Sequence, residues 1–509
     1  MHQVCHVFLL FSVSKTMKIG GSFFVQLSIY LMKYETFLGG KMENNKNKMA
    51  SGKLLPLIVS MSLPPIFSML IQSMYNIVDS MFVAKVSNDA LTAVSLVFPI
   101  QNLILALSVG FGIGINSYVS RKMGQDNYLD ANKAATHGVV ISILHYFVVV
   151  VLGLLFAKPF LGLFTTDLEI LELGYSYTVI IILFSFGQSV QIAIEKILQA
   201  CGNMVAPMFF QLIGAITNII LDPIFIFGWF GVPAMGVKGA AIATVIGQIF
   251  AMIAAVSTLV YRKQLIKVSF KGFRWESKMV KEMYIISIPS FFLLSIGSFM
   301  VSGLNFILST YSTVAVAVFG VYYKLQSFVY MPISGLIQGT LPVMSFNYGA
   351  KNKTRLLETL KISLLISAAV SFLGTVLFWI IPNQIFGLFS SESKLLQMGI
   401  EALSVISLSF IFGSTCYVFS SYFQATGSNL FSLLVTLLRQ FILILPLAFL
   451  CSKFLGVMGV WLSFPIAEIV TATLALLLFK YDYSRKQIYR QKEDKEERMI
   501  SEKDYLLDE

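Results

Sequence analysis

The chain is dominated by apolar runs long enough to cross a bilayer as helix. A helical span needs ~20 mainly apolar residues to cover a ~30 Å hydrocarbon layer. From Leu54 onward such runs occupy 54–83, 90–119, 130–157, 168–198, 203–228 and 237–261. After a charged connector they resume at 283–310, 314–346, 355–382, 394–424, 428–452 and 457–480. In lipid every backbone N–H and C=O must be paired within the protein, and a continuous helix does this alone. The expected fold is therefore an all-α membrane protein with twelve transmembrane helices. Only 12% of the residues are charged, against roughly 25% in a soluble domain. The 44 Phe against 4 His would leave a soluble fold with more apolar surface than it could cover.

The net charge of +11 would suggest nucleic acid in a soluble protein. Here the cations collect in a few loops and the tail, so the bilayer is the expected partner and nucleic acid is not. Arg121, Lys122 and Lys133 lie between runs two and three, seven cations from Arg262 to Lys281 in the connector, and Lys351, Lys353 and Arg355 between runs eight and nine. Each opposite loop has at most one (Lys85, Lys158, Lys238, Lys394 or Lys453). The positive-inside rule puts the connector and both termini in the cytoplasm of a multi-pass cell-membrane protein. The domain reading is a leader at 1–53, a six-helix lobe at 54–261, a connector at 262–282, a second lobe at 283–480 and a charged, solvated tail at 481–509. The polar Met42–Met49 segment reads as an ordinary leader, so translation is expected to start at Met42 or Met49, and residues 1–41 are a dubious start. The four cysteines form no CxxC pair, and His137 and His145 have no third ligand nearby. No catalytic cluster, metal centre or cofactor site is expected.

The two sets of six runs repeat one another. Met61-Ser62-Leu63-Pro64-Pro65 resembles Ile286-Ser287-Ile288-Pro289-Ser290, 225 residues on. Gly124 pairs with Gly349, Gly162-Leu163-Phe164 with Gly387-Leu388-Phe389, and Gln199-Ala200-Cys201-Gly202 with Gln424-Ala425-Thr426-Gly427, all at the same offset. Gly236-Val237-Lys238-Gly239 matches Gly456-Val457-Met458-Gly459 at 220. Shared loop chemistry alone would let the offsets drift. An even number of spans per copy keeps both copies in one orientation, so the lobes should be related by a pseudo-twofold axis along the membrane normal, with a site between them.

Ionisable side chains inside such spans are functional candidates by default. Gln72, Tyr75 and Asp79 share one face of the first helix, and Asn218 and Asp222 one face of the fifth, where Pro223 frees a carbonyl one turn earlier. If these faces meet, two carboxylates in an apolar cavity cannot both ionise cheaply. Such a site would take a proton or a sodium ion. Gln188, Gln191 and Glu195 form a further stripe on the fourth helix. It could line a cavity and attract cations, or Glu195 could be ion-paired beside Lys196. Lys324, Arg439 and Glu468 lie in spans of the second half. There the repeat partner of Asp79 is Leu304, and the partner of Asp222 falls within 442–447, which holds no acid.

Taken together, Pro64-x7-Gln72-x2-Tyr75-x3-Asp79, Thr217-Asn218-x3-Asp222-Pro223 and the two Gln-Ala-x-Gly turns resemble the multidrug and toxic compound extrusion (MATE) transporters over about residues 50–480. The resemblance implies an antiporter that exports hydrophobic, often cationic drugs as protons or sodium ions enter. It implies an ion site in the first half on Asp79, Asn218, Asp222 and Thr244, with a hinge at Pro64. It implies no cofactor, and the protein is expected to be a monomer. A second branch of the family binds sodium through acids in helices seven and ten; here helix seven has no acid between Glu282 and its end and helix ten has only Glu401, so a second-half sodium site is not expected. The alternatives are a lipid-linked precursor flippase of the same superfamily, which predicts extra spans and a cation-rich cavity, and a channel or receptor. The twofold repeat with off-axis acids favours alternating access.

Overall fold

The computed structural model describes residues 49–262, 264–387 and 393–505. The expectations about residues 1–48 lie outside them, as do Leu388 and Phe389 of one repeat motif. Among the described residues, eleven helices are long and apolar enough to span a membrane, and a bent pair makes a twelfth. We number the spans α1 to α12. The first six are α1 (Leu54–Ala84), α2 (Asn88–Gly124), α3 (Tyr128–Gly162), α4 (Leu168–Phe184 with Phe186–Ala200), α5 (Val205–Phe227) and α6 (Val237–Tyr261). The second six are α7 (Ser277–Ser309), α8 (Thr313–Gly349), α9 (Lys353–Ile380), α10 (Ser393–Ile406 with Phe410–Thr426), α11 (Asn429–Leu437 with Ile444–Leu455) and α12 (Val457–Tyr505).

Three details depart from a plain reading of the apolar runs. The two parts of α4 meet at 47°. At the break the Ser185 hydroxyl donates to the Ile182 carbonyl at 2.9 Å, a back-bond that competes with the helical ladder. A π segment, Leu438–Ile442, interrupts α11 and carries Arg439. The tail is helical: α12 runs to Tyr505, because no Gly or Pro follows Pro465 to stop it. Pro64 and Pro65 both lie inside an unbroken α1.

The two lobes are related by the repeat at the level of single contacts. An added Cβ at Gly124 would meet the carbonyl oxygen of Phe346, and one at Gly349 would meet that of Arg121. Phe346 is itself the repeat partner of Arg121, 225 residues on. The same reciprocity joins Gly114 to Ser287 and Gly339 to Ser62. It also joins Gly110 to the Phe291 backbone and Gly335 to the Ile66 backbone. Thus α2 packs on α7 as α8 packs on α1. The contacting glycines form a Gly-x3-Gly pair in each half, the small-residue pattern that lets membrane helices approach closely. The loops repeat too. Asp126 and Lys351 both take positive φ, as do Gly202 and Gly427.

This seam runs from one end, which we call the connector end, to about the middle of the helices. At the connector end one apolar core joins the lobes, with Ile115, Met123 and Ile197 packed among Met283, Ile286, Val343 and Phe346. Toward the far end the cores separate. Val83, Val97, Tyr177, Ile226 and Val245 pack within the first lobe, and Leu304, Phe319, Phe410 and Trp461 within the second. The segment between Tyr261 and Ser277 is fastened to α3. Lys267 N–H donates to Asn132 Oδ1 at 2.7 Å, Ser269 N–H to Thr136 Oγ1 at 3.2 Å, and Glu276 N–H to His137 Nε2 at 3.0 Å. Lys133 and Glu276 add an ion pair at 2.7 Å.

Candidate ion-coupling site

Asp79 and Asp222 stand five residues before the far ends of α1 and α5. A position so near a helix end could have left them in water. Their exposures of 8% and 0% rule that out. The two carboxyls are close enough to interact electrostatically. Asn218, one turn before Asp222, donates from Nδ2 to Asp222 Oδ1 at 3.2 Å and to Thr244 Oγ1 at 3.1 Å. That bond ties α6 into the site. Tyr75 stands one turn before Asp79 on the same face of α1. Spacing puts Tyr75 and Asp79 on one face of α1 and Asn218 and Asp222 on one face of α5, and the packing of α1 against α5 and α5 against α6 brings these faces and Thr244 together.

Three oxygens of this cluster are buried with no donor: Asp79 Oδ1, Asp222 Oδ2 and Asn218 Oδ1. Buried acceptors are nearly always supplied, so an undersupplied group of them marks a place for something else. What fits is a proton between the carboxyls or a small hard cation, which takes oxygen ligands. No group of three or more His, Cys, Asp or Glu able to hold a metal occurs among the described residues. A cation here would therefore depend on the neutral oxygens of Asn218 and Thr244 as well.

The structure adds two residues to the site. Tyr177 of α4 is buried near Asp79 and accepts from Gln101 Nε2 of α2 at 3.1 Å. Neither has an acidic neighbour in sequence, so no local signal marks them. Gln72 is exposed and takes no part in these bonds. Gln191 and Glu195 lie elsewhere, in a separate polar network nearer the connector end, and Gln188 is half-buried one turn before Gln191. Glu195 is ion-paired with Lys196 at 3.2 Å, so the stripe presents no free negative charge to a cation.

The equivalent region of the second lobe has a different chemistry. Arg439 is paired through Nε with Glu468, and its guanidinium lies 4.3 Å from the ring centre of Tyr417 and 5.4 Å from that of Tyr330. Lys324 is exposed and does not join this pair.

Twelve membrane-length helices in two reciprocally packed lobes, with an acid pair buried in one of them, define a two-lobed multi-pass membrane transporter fold. A family model described as MatE matches residues 64–224 and 287–450, one stretch in each lobe. The chain belongs to the MatE family of transporters. It is 26% identical over 418 residues to the multidrug export protein MepA of Staphylococcus aureus (strain MRSA252), covering 82% of this chain and 91% of that protein. The MepA of Staphylococcus haemolyticus (strain JCSC1435) is similar to the same extent, 26% over 418 residues with the same coverage. Among solved structures, an outward-facing multidrug resistance MATE transporter superposes with a TM-score of 0.81 at 24% identity, covering 86% of this chain and 98% of that one. A MOP superfamily transporter from Pyrococcus furiosus, described as having a binding pocket of reverse polarity, gives 0.81 at 23%, with 86% and 97% covered. These structural likenesses bear on the fold.

Proposed function

We propose that the protein is a secondary active antiporter that exports hydrophobic, often cationic small molecules in exchange for protons or sodium ions. The observation that carries this reading is the Asp79–Asp222 pair, buried together among acceptors that lack donors. Two adjacent carboxylates in a low-dielectric site repel one another, so a proton or sodium ion stabilises them and a vacant site is costly. That gives the site a differential affinity that a gradient can exploit, which is what coupling requires. Asn218 fixes Asp222 and Thr244 in one arrangement, and Tyr75 shares the Asp79 face of α1. Pro64 is the proposed hinge of α1, because it removes one backbone donor from that helix. The lobes joined at one end and packed apart at the other support alternating access about the seam. The drug-exporting relatives support the substrate class.

The cation-rich loops support a cytoplasmic connector end, with the leader, connector and tail facing the cytoplasm and the lobes at 54–261 and 283–480 in the cell membrane. The far end then faces outward.

The test is efflux of ethidium or a fluoroquinolone from vesicles under separately imposed proton and sodium gradients. Asp79→Asn and Asp222→Asn should each abolish gradient-driven export while leaving the amount of protein in the membrane unchanged. Normal export by both variants would place coupling elsewhere and sink the proposal.

A further inference from the structure

Glu195 and Lys196 sit four to five residues from the connector end of α4, yet each is only 3% exposed. A buried ammonium needs an acceptor for each of its three donors. Lys196 has them: Glu195 Oε1 at 3.2 Å, Gln199 Oε1 at 2.9 Å and Gln338 Oε1 at 3.1 Å. The first two belong to its own helix. The third belongs to α8, in the opposite lobe. Glu195 is equally well supplied, accepting from Gln191, Gln199 and Gln211 at 3.0–3.1 Å.

The surroundings tie this contact to the seam. Gln338 lies between Gly335 and Gly339, the α8 glycines that touch α1. Its Nε2 turns toward Met69 Sδ of α1 at 3.7 Å. The stem of Lys196 lies against Gly112 of α2, where a Cβ would come within 2.6 Å of Lys196 Cγ. Parting of the lobes at this end must therefore break the Lys196–Gln338 bond. It need not break the others, so Lys196 keeps two acceptors, its own carboxylate among them. Gln338 is neutral, so its departure strands no charge on α8.

We propose that Lys196 is a positioning residue of the transport cycle, a latch by which α4 holds α8 at the connector end. Its bond to Gln338 is broken and remade in each cycle. The proposal rests on the alternating-access reading above. It assigns Glu195 the task of neutralising and aiming Lys196 rather than of attracting substrate.

The test uses the full chain in lipid nanodiscs, with native cysteines replaced and spin labels at Gln125→Cys and Lys353→Cys across the connector end. Gln338→Ala leaves the Glu195–Lys196 pair intact and should fold. It should raise the ratio of long to short distances about tenfold, the weight of one charge-assisted hydrogen bond. Gln338→Glu should do the reverse, holding the short distance and slowing ethidium efflux in vesicles. Lys196→Arg, whose longer donor group can still reach Gln338, should stay near the parent. Opposite shifts from the two Gln338 variants are the signature, because a purely structural contact would give loss of fold in one or both. If both shift alike, or neither shifts while the parent's distances respond to substrate, the latch is wrong and alternation stands. If the parent shows one distance that neither substrate nor gradient moves, alternation fails and the latch fails with it.

Discussion

Gly349→Ala should bias the protein toward separation of its connector end. The added Cβ would lie 2.1 Å from the Arg121 carbonyl oxygen and 2.9 Å from its carbon. An ordinary carbon–oxygen contact is about 3.3 Å, so the shortfall is about 1 Å. Both obstructing atoms are backbone in the middle of a packed seam and cannot swing away. Overpacking of this kind costs about 1–3 kcal/mol. Because the clash exists only where α2 and α8 touch, the cost falls on the state with the connector end shut. It should shift the ratio of open to shut about 5- to 150-fold. The distance measurement between labels at 125 and 353 reads this directly, and vesicle efflux should fall because the shut state is sampled less. Gly124→Ala meets the mirror-image contact and should behave alike. Gly162→Ala and Gly387→Ala are repeat-related controls with nothing within 4 Å of the new atom, and should be silent. Parent-like distances and efflux in Gly349→Ala, with the protein folded, would refute the assignment of the seam as the closing surface.

Three further outcomes follow from the geometry. Asn218→Ala removes the donor shared by Asp222 and Thr244, so gradient-driven efflux should fall by about tenfold, the worth of its hydrogen bonds, but less than with either Asp→Asn variant. Arg439→Met or Glu468→Gln alone breaks a buried pair and should cost roughly 3–5 kcal/mol of stability, whereas the double change to Met at both sites should recover most of it; thermal unfolding in detergent separates these. Tyr177→Phe frees Gln101 Nε2 from its acceptor and should lower efflux modestly without changing membrane levels, by about the 1–3 kcal/mol of one unmet buried partner at most.

Much of this architecture could be read from the order of residues. Span length follows from bilayer thickness, and the constant offset of 225 located the symmetry before any contact was known. Asp79 and Asp222 were visible because a carboxylate in an apolar run is rare and costly. The packing of α1 against α5 buries both acids, while the donors of Asn218 tie α5 to α6. What escaped the sequence depends on third parties. Tyr177 and Gln101 are ordinary residues until α2 and α4 pack together near Asp79. The bend at Ser185 is a local contest between a hydroxyl and the helix ladder, decided by packing. The Lys196–Gln338 bond crosses 142 residues between unrelated helix faces. The spacing of Glu195 leaves open whether it lines a cavity or pairs with Lys196, and the packing around Lys196 decides for the pair. Arg439 and Glu468 lie 29 residues apart, and only the fold of α11 back onto α12 joins them.

The fastening of residues 267–276 to α3 has a mechanical consequence. A chain joining two moving bodies is commonly pictured as slack string that lets each go its own way. Here Asn132, Thr136 and His137 grip the strand along its length, and Lys133 grips its last residue. It is held to the first lobe at Lys267, Ser269 and Glu276, up to the first residue of α7. Lengthening the exposed Lys271–Gly272 turn should then be harmless, since no slack there is ever drawn upon. Under the proposed alternating access, loosening these bonds would matter more, because the start of α7 would lose its fixed attachment to α3.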